Sequence, residues 1–464
     1  MPLQWKKAII IPIFKKGDRN KPKNHRPVSQ TSSFGRTFEF IMSQFILGHL
    51  QTNELLSPHQ FGFIPNKSSC TQLLTCLYDW IISFIEKDTI NSVVYTDFSK
   101  AFDSVSHSKL IAALQSYGLN LQSVRWIRNF LKDRVQQVAI NNTLSSALTV
   151  YSGVPQGSVL GPLLFVIFIN DITRTSAHLY DSVKIRLFAD DTKIYSTTHS
   201  TLQTTLDDIN RWVESQQLRF APEKCFTLNI CKPSVTSTKP EFFISNTKLS
   251  HTPVMKDLGV LISDDLNWSH HVNFVHKNAS LCLYQLRKSF SSTNIWTWIK
   301  LYSTYLRPKL EYNTPIWSPD LKKDKLKIES IQQQFTRFAF MRCNIPFSSY
   351  SDRLYKINMK PLEYRRIYFD LILLFKIYIG ISDIKFDDYF ILRTRPYNIR
   401  GNTTKIEPKL NNIKDTEWCM SFFVRTPKIW NDLPNEIASS TSINIFKSKL
   451  NKFDLTQIVK LDCI

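Results

Sequence analysis

Two adjacent carboxylates, Asp190 and Asp191, interrupt the run RLFADDTKIY (186–195). Alternating apolar residues on both sides of the pair predict strand, turn, strand. Neighbouring acids repel, and burying either without a partner is costly. An isolated pair would be read as a solvated polar turn. A third acid, Asp97, ends the short predicted strand Val93, Val94, Tyr95, and adjacent strands of one sheet would carry it to Asp190. Such a cluster repels itself unless divalent cations neutralise it.

The composition points to a large anionic partner. The chain has 464 residues, 43% hydrophobic and 13% aromatic, enough for a sizeable core and two or three domains. Lys and Arg outnumber Asp and Glu by 59 to 38, a net charge of +21, which favours nucleic acid or another polyanion. Basic residues concentrate in 1–30 and again in 322–342. The eight cysteines (70, 76, 225, 231, 282, 343, 419, 463) lack C-x-x-C spacing and read as reduced thiols of an intracellular protein. FDLILLFKIYIGI (369–381) is short and contains Lys376, so it predicts a buried helix and no membrane span.

Along the chain, residues 7–14 predict a strand. RTFEFIMSQFILGHLQTN and CTQLLTCLYDWIISFIEK predict helices, separated by the loop SPHQFGFIPNKSS. Ser106 is placed to cap a helix ending at Gly118. A hairpin, a Pro-Gln-Gly loop and a long apolar helix span 136–172. TLDDINRWVESQQL predicts an amphipathic helix, and KCFTLNICK and KDLGVLISDDL predict single strands. From about residue 270 the strands give out and aromatic-rich helices take over; among their side chains, packing is the expectation for the aromatics and phosphate contact for the basic residues.

Hard oxygen ligands suit Mg²⁺, which takes one or two carboxylates plus substrate phosphates. Two such ions about 3.5–4 Å apart would serve both ends of an in-line displacement, an attacking 3′-hydroxyl and a leaving pyrophosphate. The acids belong to an ordered set: NHRPVSQTS (24–32), FGFIPNKSS (61–69), VVYTDFSKAFDSVSH (93–107), SGVPQGSVLGPLLFVIFINDI (152–172), RLFADD (186–191), LRFAPEKC (218–225) and KDLGVLI (256–262). In this order and spacing the chain resembles the reverse transcriptases of non-LTR, jockey-like retrotransposons, from about residue 1 to at least 345.

The resemblance implies an α+β right-hand polymerase fold: fingers and palm over 1–265, a thumb over 266–345 and a mainly helical C-terminal region over 346–464. It implies RNA-directed DNA synthesis from dNTPs on an RNA template and DNA primer, with two Mg²⁺ ions or Mn²⁺ in their place. Asp97 and Asp190 match the family's metal-binding aspartates and Asp191 the third acid, with the Phe98 carbonyl a further ligand. Arg26 matches the arginine that clamps the triphosphate, a task suited to a forked, permanently charged guanidinium; Lys15 or Lys16 would assist. Gln156 and Gly157 match residues beside the incoming nucleotide, and Lys224 matches the proton donor to pyrophosphate. DLGV (257–260) matches the primer grip. Phe102 matches the aromatic that excludes a 2′-hydroxyl, which weighs against a viral RNA polymerase. Asp103 is expected to make a structural hydrogen bond near a helix start and to bind no metal. Two positions depart from the pattern: Ala221 stands where the family usually has Asn, and Cys225 where Thr often follows the lysine.

Starting inside the fingers, the chain is expected to lack an endonuclease, so that another enzyme supplies the 3′ end. The expected setting is intracellular, in the nucleus or a cytoplasmic ribonucleoprotein, and away from membranes. The rival reading is a non-catalytic nucleic-acid-binding remnant.

Overall fold

The computed structural model describes every residue except 86–88, 176–181, 236–237, 395–401, 403, 410–420 and 463–464, so Cys419 and Cys463 lie outside the described residues. The chain divides into two compact units. The first comprises residues 1–65, 91–229 and 238–252; the second comprises 66–90, 230–237 and 253–464.

The first unit holds two five-stranded sheets. In one, Lys7–Phe14 runs antiparallel to His25–Gln30 and parallel to Arg134–Ile140. Arg134–Ile140 then turns back on Thr143–Leu144 through Asn141 and Asn142, both at positive φ, the geometry that matches strand twist in a two-residue hairpin. The predicted 7–14 strand and the hairpin after it are both present. The other sheet has the order Ser250–His251, Phe226–Ile230, Asn91–Thr96, Asp191–Ser196, Lys184–Phe188. Asn91–Thr96 is buried along its whole length and sits at the centre of this sheet, which explains a short, uninterrupted apolar run.

The helix Gly161–Ile169, GPLLFVIFI, shares a core with Val94, Ile185, Leu187 and Ile194 of the second sheet, and every residue in it except Pro162 is buried. A segment hydrophobic all round can only be a core helix. Its first turn is capped from a distance, because Glu39 Oε2 accepts the N–H groups of Val159 (2.8 Å) and Leu160 (3.1 Å). Glu39 is buried on the inner face of Ser33–Thr52. Ser106 stands at the N-terminal cap of His107–Ser116 but makes no side-chain cap bond. Gly118, at φ +72°, marks the end of that helix as predicted.

The second unit corrects two expectations. KDLGVLISDDL is not one strand; Val254–Asp257 and Val260–Ser263 pair antiparallel around Leu258 and Gly259, at φ +44° and +87°. The Leu-Gly pair supplies the two left-handed residues of a tight hairpin turn, and Tyr312 Oη donates to the Leu258 carbonyl at 3.0 Å. Strands also do not end at 270, since Phe390–Thr394 pairs with Thr404–Pro408, burying Phe390 and Ile406. The rest is helical, including Ser269–Ser289, Lys322–Arg342 and Leu362–Tyr378. The aromatics of 270–345 divide: Trp298, Tyr302 and Trp317 are fully buried, whereas Tyr284, Trp296 and Tyr305 are more than half exposed. The apolar 369–381 segment lies mostly in the Leu362–Tyr378 helix, and among the described residues no helix is long and apolar enough to cross a membrane. The described cysteines are all free thiols.

Candidate active site

The register Thr96↔Thr192 places Asp97 and Asp191 at the same end of the central pair of strands, with Asp190 next in the turn. That turn is the two-residue link Ala189–Asp190 between the paired Phe188 and Asp191. Ala189 sits at φ +56°, a conformation that costs an L-residue about 1–2 kcal/mol and must be held by its surroundings. The holder is the 59–62 segment. Phe61 N–H donates to the Leu187 carbonyl at 2.8 Å, and Leu187 N–H to the His59 carbonyl at 2.9 Å. The fully buried Gln60 accepts through one oxygen from both Gly62 N–H (2.8 Å) and Ala189 N–H (2.9 Å).

Gly62 is required here by space. A Cβ on it would lie 2.3 Å from the Ala189 nitrogen and 2.9 Å from the Phe188 carbonyl carbon. Backbone cannot yield as a flexible side chain can. Gly62→Ala is therefore expected to cost about 1–3 kcal/mol in urea unfolding, the overpacking scale, and to displace the acidic turn. Unchanged stability would mean that the loop moves freely.

Asp97 and Asp190 are brought together. Burial holds the Asp190 carboxyl above the usual carboxylate range; the charge on Asp97 pushes the same way, while Arg26 and Lys15 pull it back. Arg26 lies opposite Ile13 in the first sheet, and Lys15 directly follows that strand, its N–H donating to the Asn24 carbonyl at 2.9 Å. Arg26 and Lys15 are the cations whose charge acts on Asp190. Asp191, at the head of its strand, is exposed. Among the described residues, no group of three or more His, Cys, Asp or Glu is gathered for a metal ion.

The Phe98 carbonyl is directed by its neighbours' bonds. Ala221 N–H donates to the Asp97 carbonyl (2.8 Å) and Ser99 N–H to the Arg219 carbonyl (2.9 Å), around the bridge Phe98↔Phe220. Flanking bonds of this pattern turn the peptide groups of Phe98 away from the 219–221 segment. Lys224 follows on the same segment, with Nζ 4.0 Å from Asp97 Oδ2, both side chains about half exposed. The departure at Cys225 is absorbed locally. Its sulfur lies 3.4 Å from the Asp97 nitrogen as acceptor, and burial pushes the thiol up to about 11, so it stays neutral.

Phe102 stacks on Phe165 at 4.4 Å with 19° between the rings, half-buried. Gln156 Nε2 donates to Asp103 Oδ1 at 3.0 Å, and the Gln156 carbonyl accepts from Ser29 N–H at 2.6 Å. Gly157, at φ +107°, would place a Cβ 2.8 Å from the Ser29 carbonyl oxygen. The side chain of Asp103, expected to bond near the helix start, bonds instead with Gln156 on the neighbouring loop. Sequence reasoning overlooked Gln60 and Glu39; the only signal was Gln60 standing beside the FGF motif.

An acid-tipped hairpin, a strand ending in a second acid, and the cations Arg26 and Lys15 acting on Asp190 thus come together in one unit. The family description reverse transcriptase (RNA-dependent DNA polymerase) matches residues 13–274, more than half of the chain, and the chain belongs to that family. Its relatives include the probable RNA-directed DNA polymerase from transposon BS of Drosophila melanogaster, 28% identical over 359 residues. The RNA-directed DNA polymerase from mobile element jockey of the same species is 27% identical over 350 residues. The jockey-like resemblance is thereby borne out, and the described residues show the mixed helix and sheet of the expected α+β class. Both alignments cover 72% of this chain but only 38% of the relative. Among solved structures, a telomerase from Candida albicans aligns over 82% of this chain and 60% of its own, at 13% identity and a TM-score of 0.46.

Proposed function

We propose that this chain extends a DNA 3′ end on an RNA template, using dNTPs. The observation that carries the reading is the convergence of Asp97 and Asp190 with Arg26, Lys15 and Lys224 in one unit. Residues 1–265 then serve as fingers and palm, 266–345 as thumb, and the C-terminal helices as an accessory region.

The donor set suits a hard divalent cation. Two carboxylates repel each other at the end of one sheet, and Mg²⁺ needs only one or two, completing its shell with phosphate and water. Asp97 and Asp190 would hold it, with Asp191 and the Phe98 carbonyl as additional oxygens. When bound, the ions lower the charge on the attacking and leaving oxygens. The chain's own residues do the rest. Arg26 and Lys15 hold the triphosphate, fixing the reacting phosphorus in line. Lys224 gives a proton to the departing pyrophosphate, and its place beside Asp97 keeps the ammonium at the site.

Primer extension on an RNA template annealed to a DNA primer tests this reading. Extension with dNTPs that stops on chelation supports it; tight duplex binding without extension would favour the non-catalytic remnant. Phe102 gives a second handle. Phe102→Val should reduce the preference for dNTP over NTP by about 10-fold or more, since shape discrimination by a pocket wall is worth about 1–3 kcal/mol. Unaltered sugar preference in that variant would remove Phe102 from the role.

A further inference from the structure

We propose that Asp103 is a positioning residue that sets the side-chain amide of Gln156, so that its oxygen and not its nitrogen is presented to the substrate. The substrate half of this inference rests on the polymerase reading above.

A carboxylate only accepts hydrogen bonds, so the 3.0 Å contact between Gln156 and Asp103 Oδ1 assigns the amide nitrogen to Asp103. The charge on Asp103 makes this bond stronger than a neutral one and opposes an amide flip. Among the described residues, no donor approaches Gln156 Oε1, which leaves an acceptor to meet a hydroxyl or amino hydrogen of the nucleotide or its paired base.

The backbone on both sides is held by hydrogen bonds, so the remaining freedom lies in the Gln156 side chain. Val154 N–H donates to the Phe102 carbonyl and Gly153 N–H to the Val105 carbonyl, each at 2.8 Å. Ser152 Oγ donates to the Asp103 carbonyl at 3.0 Å. His107 Nε2 lies 2.8 Å from the Gly153 carbonyl and must carry the proton, because a carbonyl cannot donate. Gly153 lets the loop press on the turn: a Cβ there would be 2.7 Å from both Asp103 Cα and the Asp103 carbonyl oxygen. Asp103 and Gln156 both face a cavity of about 440 Å³, which Lys100, Arg134 and Tyr151 also line. A residue needed only to hold the turn would not require a side chain aimed at Gln156, since the backbone bonds already hold it.

The test combines kinetics with a direct view of the amide. In steady-state extension, Asp103→Ala should raise KM for dNTP about tenfold, the scale of losing one charged hydrogen bond, and leave kcat within about twofold. In a Gln156→Ala background the same change should do nothing, because the aspartate acts through the glutamine. An equal effect in both backgrounds, or none in either, overturns the proposal. Independently, with ¹⁵N-glutamine labelling, the side-chain Nε2 signal lost in Gln156→Ala should shift upfield in Asp103→Ala. An unmoved signal also overturns it. If the wild-type chain extends no primer, the polymerase reading has failed, and the amide signal still decides whether Asp103 orients Gln156.

Discussion

Asp190→Asn is expected to lower primer extension by about 10²–10³-fold or more while making the metal-free protein more stable at neutral pH. The activity loss is on the scale of removing one preorganised electrostatic group from a reaction centre. The stability gain follows from the carboxyl's environment. Burial, with Asp97 adding repulsion, raises the folded-state value above the unfolded one. Below the ordinary carboxylate range both states are protonated and nothing is lost. As pH rises towards and through the raised folded value, the folded protein must ionise a half-buried acid beside Asp97, and stability falls. The amide that replaces the carboxyl has no such proton to lose. The variant's Tm should therefore exceed that of the wild type at pH 7, and the gap should close as pH falls through the carboxylate range. Mg²⁺ should raise the wild-type Tm and leave the variant's almost unchanged, since a ligand stabilises only the form that binds it. A variant less stable than wild type at pH 7 would show Asp190 to be a structural acceptor. Undiminished extension would take it out of the reaction.

The largest loss of stability is expected from Arg425→Met, about 3–5 kcal/mol. Arg425 grips Asp370 bidentately, Nε to Oδ2 at 2.8 Å and a terminal nitrogen to Oδ1 at 3.2 Å, and also donates to the Pro315 carbonyl at 2.8 Å. Asp370 is fully buried on the Leu362–Tyr378 helix; burial pushes its carboxyl up, while Arg425 first and Arg366 second pull it back. Methionine would keep most of the packing volume and remove the stronger of these two cations, together with both hydrogen bonds to the acid. The folded-state value of Asp370 would then rise further, so the deficit should be smaller at pH 5 than at pH 8 in urea titrations. A deficit independent of pH would mean that lost packing, not the under-compensated charge, sets the cost. The role also separates Arg425 from the surface basic residues: its charge is spent inside the protein.

The site was more legible in the sequence than the fold around it. Asp97, Asp190, Arg26 and Gln156 stood in short motifs because each must be carried by a strand end, a turn or a loop of fixed local geometry. The core helix 161–169 was equally readable, its apolar run admitting no solvent face. Where local signals compete, reading failed. KDLGVLISDDL looked like one strand because its apolar residues are continuous, although Leu258-Gly259 turns it back on itself. The 390–394 and 404–408 strands were hidden among helices, since a two-stranded ladder needs only five residues on each side and shows little periodicity.

Sequence alone determined which residues were candidates for chemistry: the acids, the N-terminal cations, the bulky Phe102 and the glycines of the turns. Tertiary structure alone decided their partners. It brought Lys15 and Arg26 to act on Asp190, gave the Ala189–Asp190 turn its support in Gln60 and Gly62, and bound Gln156 to Asp103. It also matched Arg425 to Asp370, 55 residues away. Covalent order and local propensity act over a few residues, whereas the cost of an unpaired buried polar or charged group is settled by whatever the folded chain brings alongside it.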